Sequence, residues 1–322
     1  MSAQIDASPG TLVLPGGKSV SCIGVGCWAI GGPDHNLGMP MGWSTADDDA
    51  ARRGLDTAYE LGANLFDTAD VYGHGHSERD HLDVYQLHNA NFGPGDRYLA
   101  GAVETMHAFQ AEGLVRAVGM RGPHRYAPDR LVKGVLREDK YVRFRELFEV
   151  IRPEVLTVRY NLLTPGRSGN GDIFTFAAHG GAVVLVNKPL GQGLLTGKYD
   201  PQRPPVFGDG DHRQRKRWFT PAALAILRDE LAPLRERFGD QPADLIRVAL
   251  RYCLRPRTVL IVGFTRPEQV VENLTCLGEP LTAADIEFIA EVGQRAQKAL
   301  DAAGEVFLDE VAAESRPVGE AD

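Results

Sequence analysis

The chain is poor in features that would take it out of a reducing, aqueous compartment. Only four of its 322 residues are cysteine (Cys22, Cys27, Cys253 and Cys276), and no two form a CxxC pair. That count and spacing exclude a disulfide framework and predict buried free thiols. No stretch approaches the roughly 18 consecutive apolar residues that a membrane span needs. The first residues, MSAQIDASPG, lack the basic segment and apolar run of a secretory signal. These absences predict a cytoplasmic protein with no membrane partner. Positive charge is not in excess either: 35 Lys and Arg stand against 43 Asp and Glu, a formal net charge of −8. That balance argues against nucleic acid as the main partner, because phosphate neutralisation needs a net basic face. It leaves room for a small anion held by a local basic cluster.

What is present is the composition of a soluble globular protein, with 43% hydrophobic residues and enough length to bury a large core without staples. Length alone suggests two domains, yet single α/β barrels also reach this size. Short apolar, β-branched runs recur along the chain, each closed by Gly, Asn or Asp. They are VSCIGVG (20–26), NLFDTA (64–69), LDVYQLH (82–88), VRAVGM (115–120), VLTVRY (155–160), AVVLVN (182–187) and TVLIVG (258–263). Apolar on both faces, they predict buried parallel strands. Helix-patterned stretches lie between them. One runs from a Ser44 or Thr45 cap to Leu61; others cover 97–112, 139–151, 221–238, 243–254, 267–277 and 283–302. The apolar stripe of 243–254 predicts a core-facing helix. Strand and helix alternating in this way predict a (β/α)8-type TIM barrel spanning 1–322 as one domain. TLVL and the turn PGGK predict a hairpin within residues 1–18, and residues 301–322 form an acidic tail.

One interval breaks the rhythm. Only DVYGHGHSERDH separates the second run from the third, and it has two glycines and no apolar face. A crossover between adjacent parallel strands takes about a dozen residues or more, usually a helix. The sequence therefore predicts seven core strands, with the third βα unit missing or irregular.

In such a barrel, function sits at the C-terminal ends of strands. That rule selects Trp28, Asp67, Tyr72, His88, Met120, Arg121, Tyr160, Asn187, Lys188 and Gly263. Asp67, Tyr72 and His88 make a sensible group for carbonyl chemistry. A phenol can give a proton to a carbonyl oxygen, an imidazole can orient the substrate or relay the proton, and a carboxylate can hold a cation near the phenol. The alternative is structural, with Asp67 capping a turn and Tyr72 packed under a loop. Helix 267–277 opens with TRPEQ, so Pro267 in its first turn leaves free N–H groups and a positive dipole end for a phosphate.

These residues carry a resemblance. NLFDTADVYGHGHSE is similar to the Asp-x-x-x-x-Tyr signature of the aldo-keto reductases, and LDVYQLHN resembles that family's next signature, ending in its active-site His. KPLGQGLLTGKY resembles the loop after its seventh strand, IVGFTRPEQVVENL its last strand and phosphate-binding helix, and GVGCWAIGG its first strand. The resemblance covers nearly the whole chain, in order. It implies an NADP(H)-dependent oxidoreductase that interconverts a small carbonyl (aldehyde or ketone) and its alcohol without metal or flavin. By that likeness Tyr72 is the proton donor, Asp67 its charge partner and His88 the substrate-orienting group. Thr265 and Arg266 meet the 2′-phosphate side, Glu272 and Asn273 the adenine edge, and Gly191 and Gly193 the pyrophosphate. Gly26, Trp28, Arg121, Asn187, Leu190, Gly263 and Gln269 complete the implied cofactor contacts. Oligomeric state stays open, a homo-oligomer included.

The chain also departs from the family pattern. The family's catalytic Lys lies at the end of the third strand, the missing one, and without a cation the Tyr72 phenol stays near its ordinary value of about 10. Met120-Arg121 stand where Ser-Asn is usual, Thr157 where Gln is usual, and Asn187 where an aromatic stacks on the nicotinamide. Three explanations follow: an internally shortened reductase; altered chemistry with Lys188 or Arg121 supplying the charge; or a nucleotide-binding member without turnover. Lys188 has a plainer reading as a solvated loop lysine. A further alternative is a metal-dependent hydrolase using His74, His76, His81 and His88 beside Asp67 and Asp70, since imidazole and carboxylate ligate zinc. The basic run RQRKRWF (213–219) either closes over cofactor phosphates or is a solvated loop.

Overall fold

In the computed structural model, residues 10–36, 38–69, 83–88, 92–123, 137–164 and 171–304 are described. Asp70, Tyr72, His74, His76, His81 and residues 305–322 of the acidic tail lie outside them. Strands β1 (Thr11–Val13) and β2 (Ser19–Ser21) form an antiparallel hairpin. The chain bends at Cys22, whose amide donates to the Gly10 carbonyl, so VSCIGVG is two strands rather than the single one its apolar pattern predicts. The second piece, β3 (Ile23–Gly26), enters the main sheet. A small ribbon, β4 (His35–Asn36) with β5 (Met39–Pro40), follows. The remaining strands are β6 (Phe66–Asp67), β7 (Val84–Leu87), β8 (Ala117–Arg121), β9 (Val155–Arg159), β10 (Val183–Asn187) and β11 (Thr258–Gly263).

Among the described residues, the seven main strands are all parallel, in the order β6-β3-β11-β10-β9-β8-β7. Sequential strands therefore neighbour one another everywhere except between β6 and β7, which are the two edges. No described strand joins them. That opening falls at DVYGHGHSERDH, where the sequence predicts the missing unit.

Side chains alternate across each strand and sort into two cores. Inside the curled sheet, Ala117, Val155, Val183, Leu185, Val259 and Ile261 pack together, and Leu14 and Val20 of the hairpin join them, closing the interior at one end. The alternate residues, among them Val118, Leu156, Val184 and Leu260, face the helices and are 2% exposed or less. At the opening, the outward residues Phe66 and Tyr85 are 40% and 42% exposed. The difference measures how much cover a complete βα unit would provide there.

The helices are α1 (Asp48–Glu60), α2 (Leu99–Ala111), α3 (Arg137–Ile151), α4 (Ile173–His179), α5 (Pro221–Glu230), α6 (Ala232–Phe238), α7 (Pro242–Cys253), α8 (Pro267–Thr275) and α9 (Ala283–Ala302). The cap of α1 is Asp47, whose side chain accepts from the Ala50 amide, and not Ser44 or Thr45. Ser44 is turned to a long-range partner instead: its amide and hydroxyl both donate to Asp211. The predicted helix 221–238 is two helices meeting at Leu231, because Pro233 in the first turn of α6 cannot donate backward. Helix α4 has no counterpart in the sequence pattern; seven residues are too few to show a period. Helix α7 buries Leu245, Ile246, Val248, Ala249, Leu250, Tyr252 and Cys253, as its stripe predicts. No described helix is long and apolar enough to cross a membrane.

Candidate active site

Strand alternation decides which residues reach the mouth of the sheet at its C-terminal end. On β10, Val183 and Leu185 face inward, so Asn187 does too; on β11, Val259 and Ile261 are followed by Gly263. The same count places Asp67 after Leu65, His88 after Val84 and Gln86, Arg121 after Ala117 and Gly119, and Arg159 after Val155 and Thr157. Gln86 and Thr157 are hydrogen-bonded to each other one layer below. Met120 and Tyr160 have the other parity and lie in the outer core, so the strand-end rule misplaces both. The same rule passes over Arg159, which is in register with Asn187. The signal that finds it is the period of two.

His88 and Arg121 meet directly: Arg121 Nη1 is 2.8 Å from His88 Nε2. A guanidinium only donates, so that ring nitrogen accepts and is unprotonated. Desolvation first, and then the charges of Arg121 and Lys188, lower the His88 pKa to about 4. Across the opening, desolvation raises the Asp67 carboxyl to about 6. The Asp67 carbonyl accepts from the Cys27 amide at 2.9 Å, tying β6 to the start of the Trp28 turn.

Lys188 follows β10 in a left-handed conformation (φ 57°), and its carbonyl accepts from the buried Asn161 side chain at 2.9 Å. Its Nζ lies 5.0 Å from the Trp28 ring centroid, a cation–π contact. It is half-buried at the mouth, not a solvated loop lysine. Trp28 is fixed by its indole N–H, which donates to the Met41 carbonyl at 3.0 Å, and by the His212 ring at 4.1 Å.

His212 adjoins the basic run RQRKRWF, and both expectations for that run fail at its start. His212 and Arg213 are 1% and 5% exposed, and Asp211 is fully buried. The Arg213 guanidinium forks onto Asp211 (3.0 and 2.7 Å) and stacks on Trp43 at 3.9 Å and Phe207 at 4.2 Å. His212 Nδ1 is 3.0 Å from the Gly42 carbonyl and so carries the proton, while Nε2 accepts from Gln192. Burial, then the Lys188 charge, lowers the His212 pKa to about 2. These partners are too distant in sequence for any local pattern to reveal them.

The other half of the mouth is built from the loops after β10 and β11. Gly191, Gln192 and Gly193 all take positive φ (57°, 61° and 90°), a left-handed run next to Leu190 that glycine adopts without strain. A Cβ on Gly193 would come within 2.6 Å of Lys198 Cε. Lys198 sits near Arg213 and Arg266; desolvation and those two cations lower its pKa to about 8. After Gly263, Thr265 donates through its amide (2.8 Å) and hydroxyl (3.3 Å) to Gln269 Oε1, closing the turn into α8. Arg266 is the N-cap of α8, and Glu272 and the buried Asn273 lie on that helix. Gly26 and Gly263 stand side by side in register. Among the described residues, two buried acceptors here have no partner: Asn187 Oδ1 and Gln192 Oε1.

The profile of the Aldo/keto reductase family matches residues 22–79 and 78–294, two stretches that meet at Glu78-Arg79. The chain belongs to that family of oxidoreductases. Its fold is also that of the glycerol dehydrogenase of Gluconobacter oxydans: TM-score 0.64, 22% identity, 91% of this chain and 97% of the other covered. The chloroplastic pyridoxal reductase of Arabidopsis thaliana is 28% identical, over 85% of this chain and 83% of its own. The NADH-specific methylglyoxal reductase of Escherichia coli is 25% identical over 68% of this chain, which spans 61% of that protein's length.

Proposed function

We propose that the protein interconverts a small carbonyl compound and its alcohol with NADP(H). The observation that carries this reading is the orphaned Asn187 Oδ1, a buried acceptor at the mouth beside the left-handed 191–193 turn. A buried acceptor without a partner costs about 1–3 kcal/mol, and a carboxamide N–H would satisfy it. The residues fit such a cofactor along its length. The 191–193 backbone suits the pyrophosphate; Arg266, Thr265 and the α8 N-terminus suit the 2′-phosphate; Glu272 and Asn273 suit the adenine. Lys198 and Arg266, cations held close together, favour phosphate at this end over an unphosphorylated ribose. The relatives named as reductases and dehydrogenases support the same class.

When bound, the nicotinamide supplies a hydride to the carbonyl carbon. The chain must then stabilise negative charge on the oxygen and protonate it. Tyr72 is the proposed proton donor, on the likeness of its motif. Asp67 and His88 flank the opening above which that oxygen would lie. His88 Nε2 is already occupied by Arg121, so the pair presents a cationic donor in place of a lone imidazole. Arg121, with Lys188 over Trp28 and close enough to lower the His88 pKa, supplies the positive charge that the family's third strand carries and no described strand brings here. Titrating the protein with NADPH and following tryptophan fluorescence tests the reading. Quenching is expected; no binding at millimolar cofactor overturns it. Tyr72→Phe should then abolish carbonyl reduction, and Lys188→Ala should slow it.

A further inference from the structure

His212 stands where the Trp28 turn, the Gly42 segment and the 191–193 turn meet, and none of the proposed chemistry uses it. Its ring lies 4.1 Å from the Trp28 ring and 4.9 Å from the Trp43 ring, centroid to centroid. Both ring nitrogens are engaged, in opposite senses. Nδ1 donates to the Gly42 carbonyl at 3.0 Å, which leaves Nε2 to accept from the Gln192 amide nitrogen. Turned over, the amide would set Gln192 Oε1 against a ring nitrogen that carries no proton, so its orientation is fixed. Oε1 itself has no partner among the described residues, and the His212 bond is what holds the Gln192 carboxamide. The backbone carbonyl of Gln192 is held separately, by the Tyr199 hydroxyl at 3.2 Å.

Gln192 needs that hold. It lies between Gly191 and Gly193 with φ 61°, in the left-handed region that a residue with a Cβ enters only against a steric cost. A glycine takes the same conformation without it. Backbone of this kind persists where its surroundings over-determine it, and the His212 acceptor is the side-chain contact that does so here. Resting on the reading that the 191–193 turn receives the cofactor, we infer that His212 is a positioning residue for that turn. It holds Gln192, and through Gln192 the backbone of Gly191 and Gly193, in the shape that NADPH meets. The same ring stacks on Trp28, so one side chain fixes the turn after β10 and the indole after β3 together.

Removing the hold while keeping the ring tests this. His212→Phe preserves a stacking surface for Trp28 and loses the acceptor. Calorimetric titration of the full chain should then show NADPH bound roughly three- to tenfold more weakly, the worth of one buried hydrogen bond. In Gln192→Gly the turn needs no hold, so adding His212→Phe to that variant should change the affinity by less than about twofold. An equal loss in both backgrounds means that His212 only packs the fold, and overturns the inference. Undiminished affinity in His212→Phe alone overturns it too. Should His212→Phe fail to fold, Gln192→Leu is set against Gln192→Gly with His212 intact. Leucine keeps the Cβ and cannot donate, so that variant should bind NADPH roughly three- to tenfold more weakly than the glycine one. Equal binding by the two overturns the inference. A cofactor-free arm separates this from the reductase reading. The Tm losses of His212→Phe and Gln192→Gly should together exceed the loss in the double variant, because both remove the same bond. Additive losses refute the hold even where NADPH binding fails altogether. Coupled losses in a wild type that binds no NADPH leave the hold standing and refute the cofactor reading.

Discussion

Arg121 donates to His88 across 2.8 Å, joining the ends of two adjacent strands through a ring nitrogen that has to be unprotonated. The geometry sets the protonation state, and the surroundings agree: desolvation, then Arg121 and Lys188, hold His88 at a pKa of about 4.

His88 should therefore stay neutral over the pH range in which the protein works. Followed by NMR through its ring protons, it is expected to titrate near pH 4, well below the ordinary 6.5. Between those values the unfolded chain binds the proton and the folded one does not. The stability His88 contributes is then present above about pH 6.5 and is lost as pH falls toward 4. A midpoint near 6.5 would show that the Arg121 contact does not persist in solution. Arg121→Ala should move the midpoint upward.

Asp67 is displaced in the opposite direction. Desolvation raises it from 3.8 to about 6, so the folded protein holds the proton more tightly than the unfolded chain, and stability declines as pH rises between those values. In the proposed reaction the ionised form does the work. The acid limb of kcat/KM should show a group with a midpoint near 6, absent in Asp67→Asn, whose remaining activity should be low and flat in that range. A limb that persists unchanged in Asp67→Asn would assign it to another residue.

Much of this site is legible in the amino-acid sequence, for a physical reason. A strand buried on both faces produces an uninterrupted apolar run, and the first polar residue after the run marks the mouth. Asp67, Arg121 and Asn187 stand out in that way, whereas His88 follows β7, whose run is broken by Gln86 and whose Tyr85 is 42% exposed. Counting only to the end of the run fails by one residue where the last apolar side chain faces the helices. That count selects Tyr160 in place of Arg159 and admits Met120 beside Arg121. The opening between β6 and β7 is also legible, because a parallel crossover has a minimum length that DVYGHGHSERDH does not supply as a helix. The Asp211–Arg213 cluster is not. Its partners Gly42, Ser44 and Trp43 are some 170 positions away, and RQRKRWF in isolation looks like a surface run.

That cluster makes a stability prediction. Desolvation acts to raise the Asp211 pKa, but hydrogen bonds from the Arg213 side chain and from the Ser44 and Arg213 amides, with the Arg213 charge, outweigh it and hold the carboxyl at about 2. Asp211→Asn leaves the buried Arg213 without a counter-charge and should cost about 3–5 kcal/mol in denaturant unfolding. The wild-type contribution should be intact above pH 3.8 and fade as pH falls toward 2. Because Ser44 and Gly42 bind the same segment that carries His212, the variant should also loosen Trp28 and shift tryptophan emission to the red. A loss under 1 kcal/mol would mean that the cluster is solvated.

The last prediction sets a local preference against a packing contact. Gly293 is buried inside α9, a position where alanine normally gains about 1 kcal/mol of helix propensity. A Cβ built there would overlap the Leu162 backbone carbonyl, directly beyond β9, and a carbonyl fixed by the fold cannot move aside as a flexible side chain can. Overpacking of that kind costs about 1–3 kcal/mol, so the contact should outweigh the propensity. Gly293→Ala is expected to lower the denaturant midpoint with an unchanged m-value. Through Leu162 and Asn161, which holds the Lys188 carbonyl, the displacement should reach the mouth and weaken NADPH binding. A stabilised Gly293→Ala would show that α9 does not press on that loop.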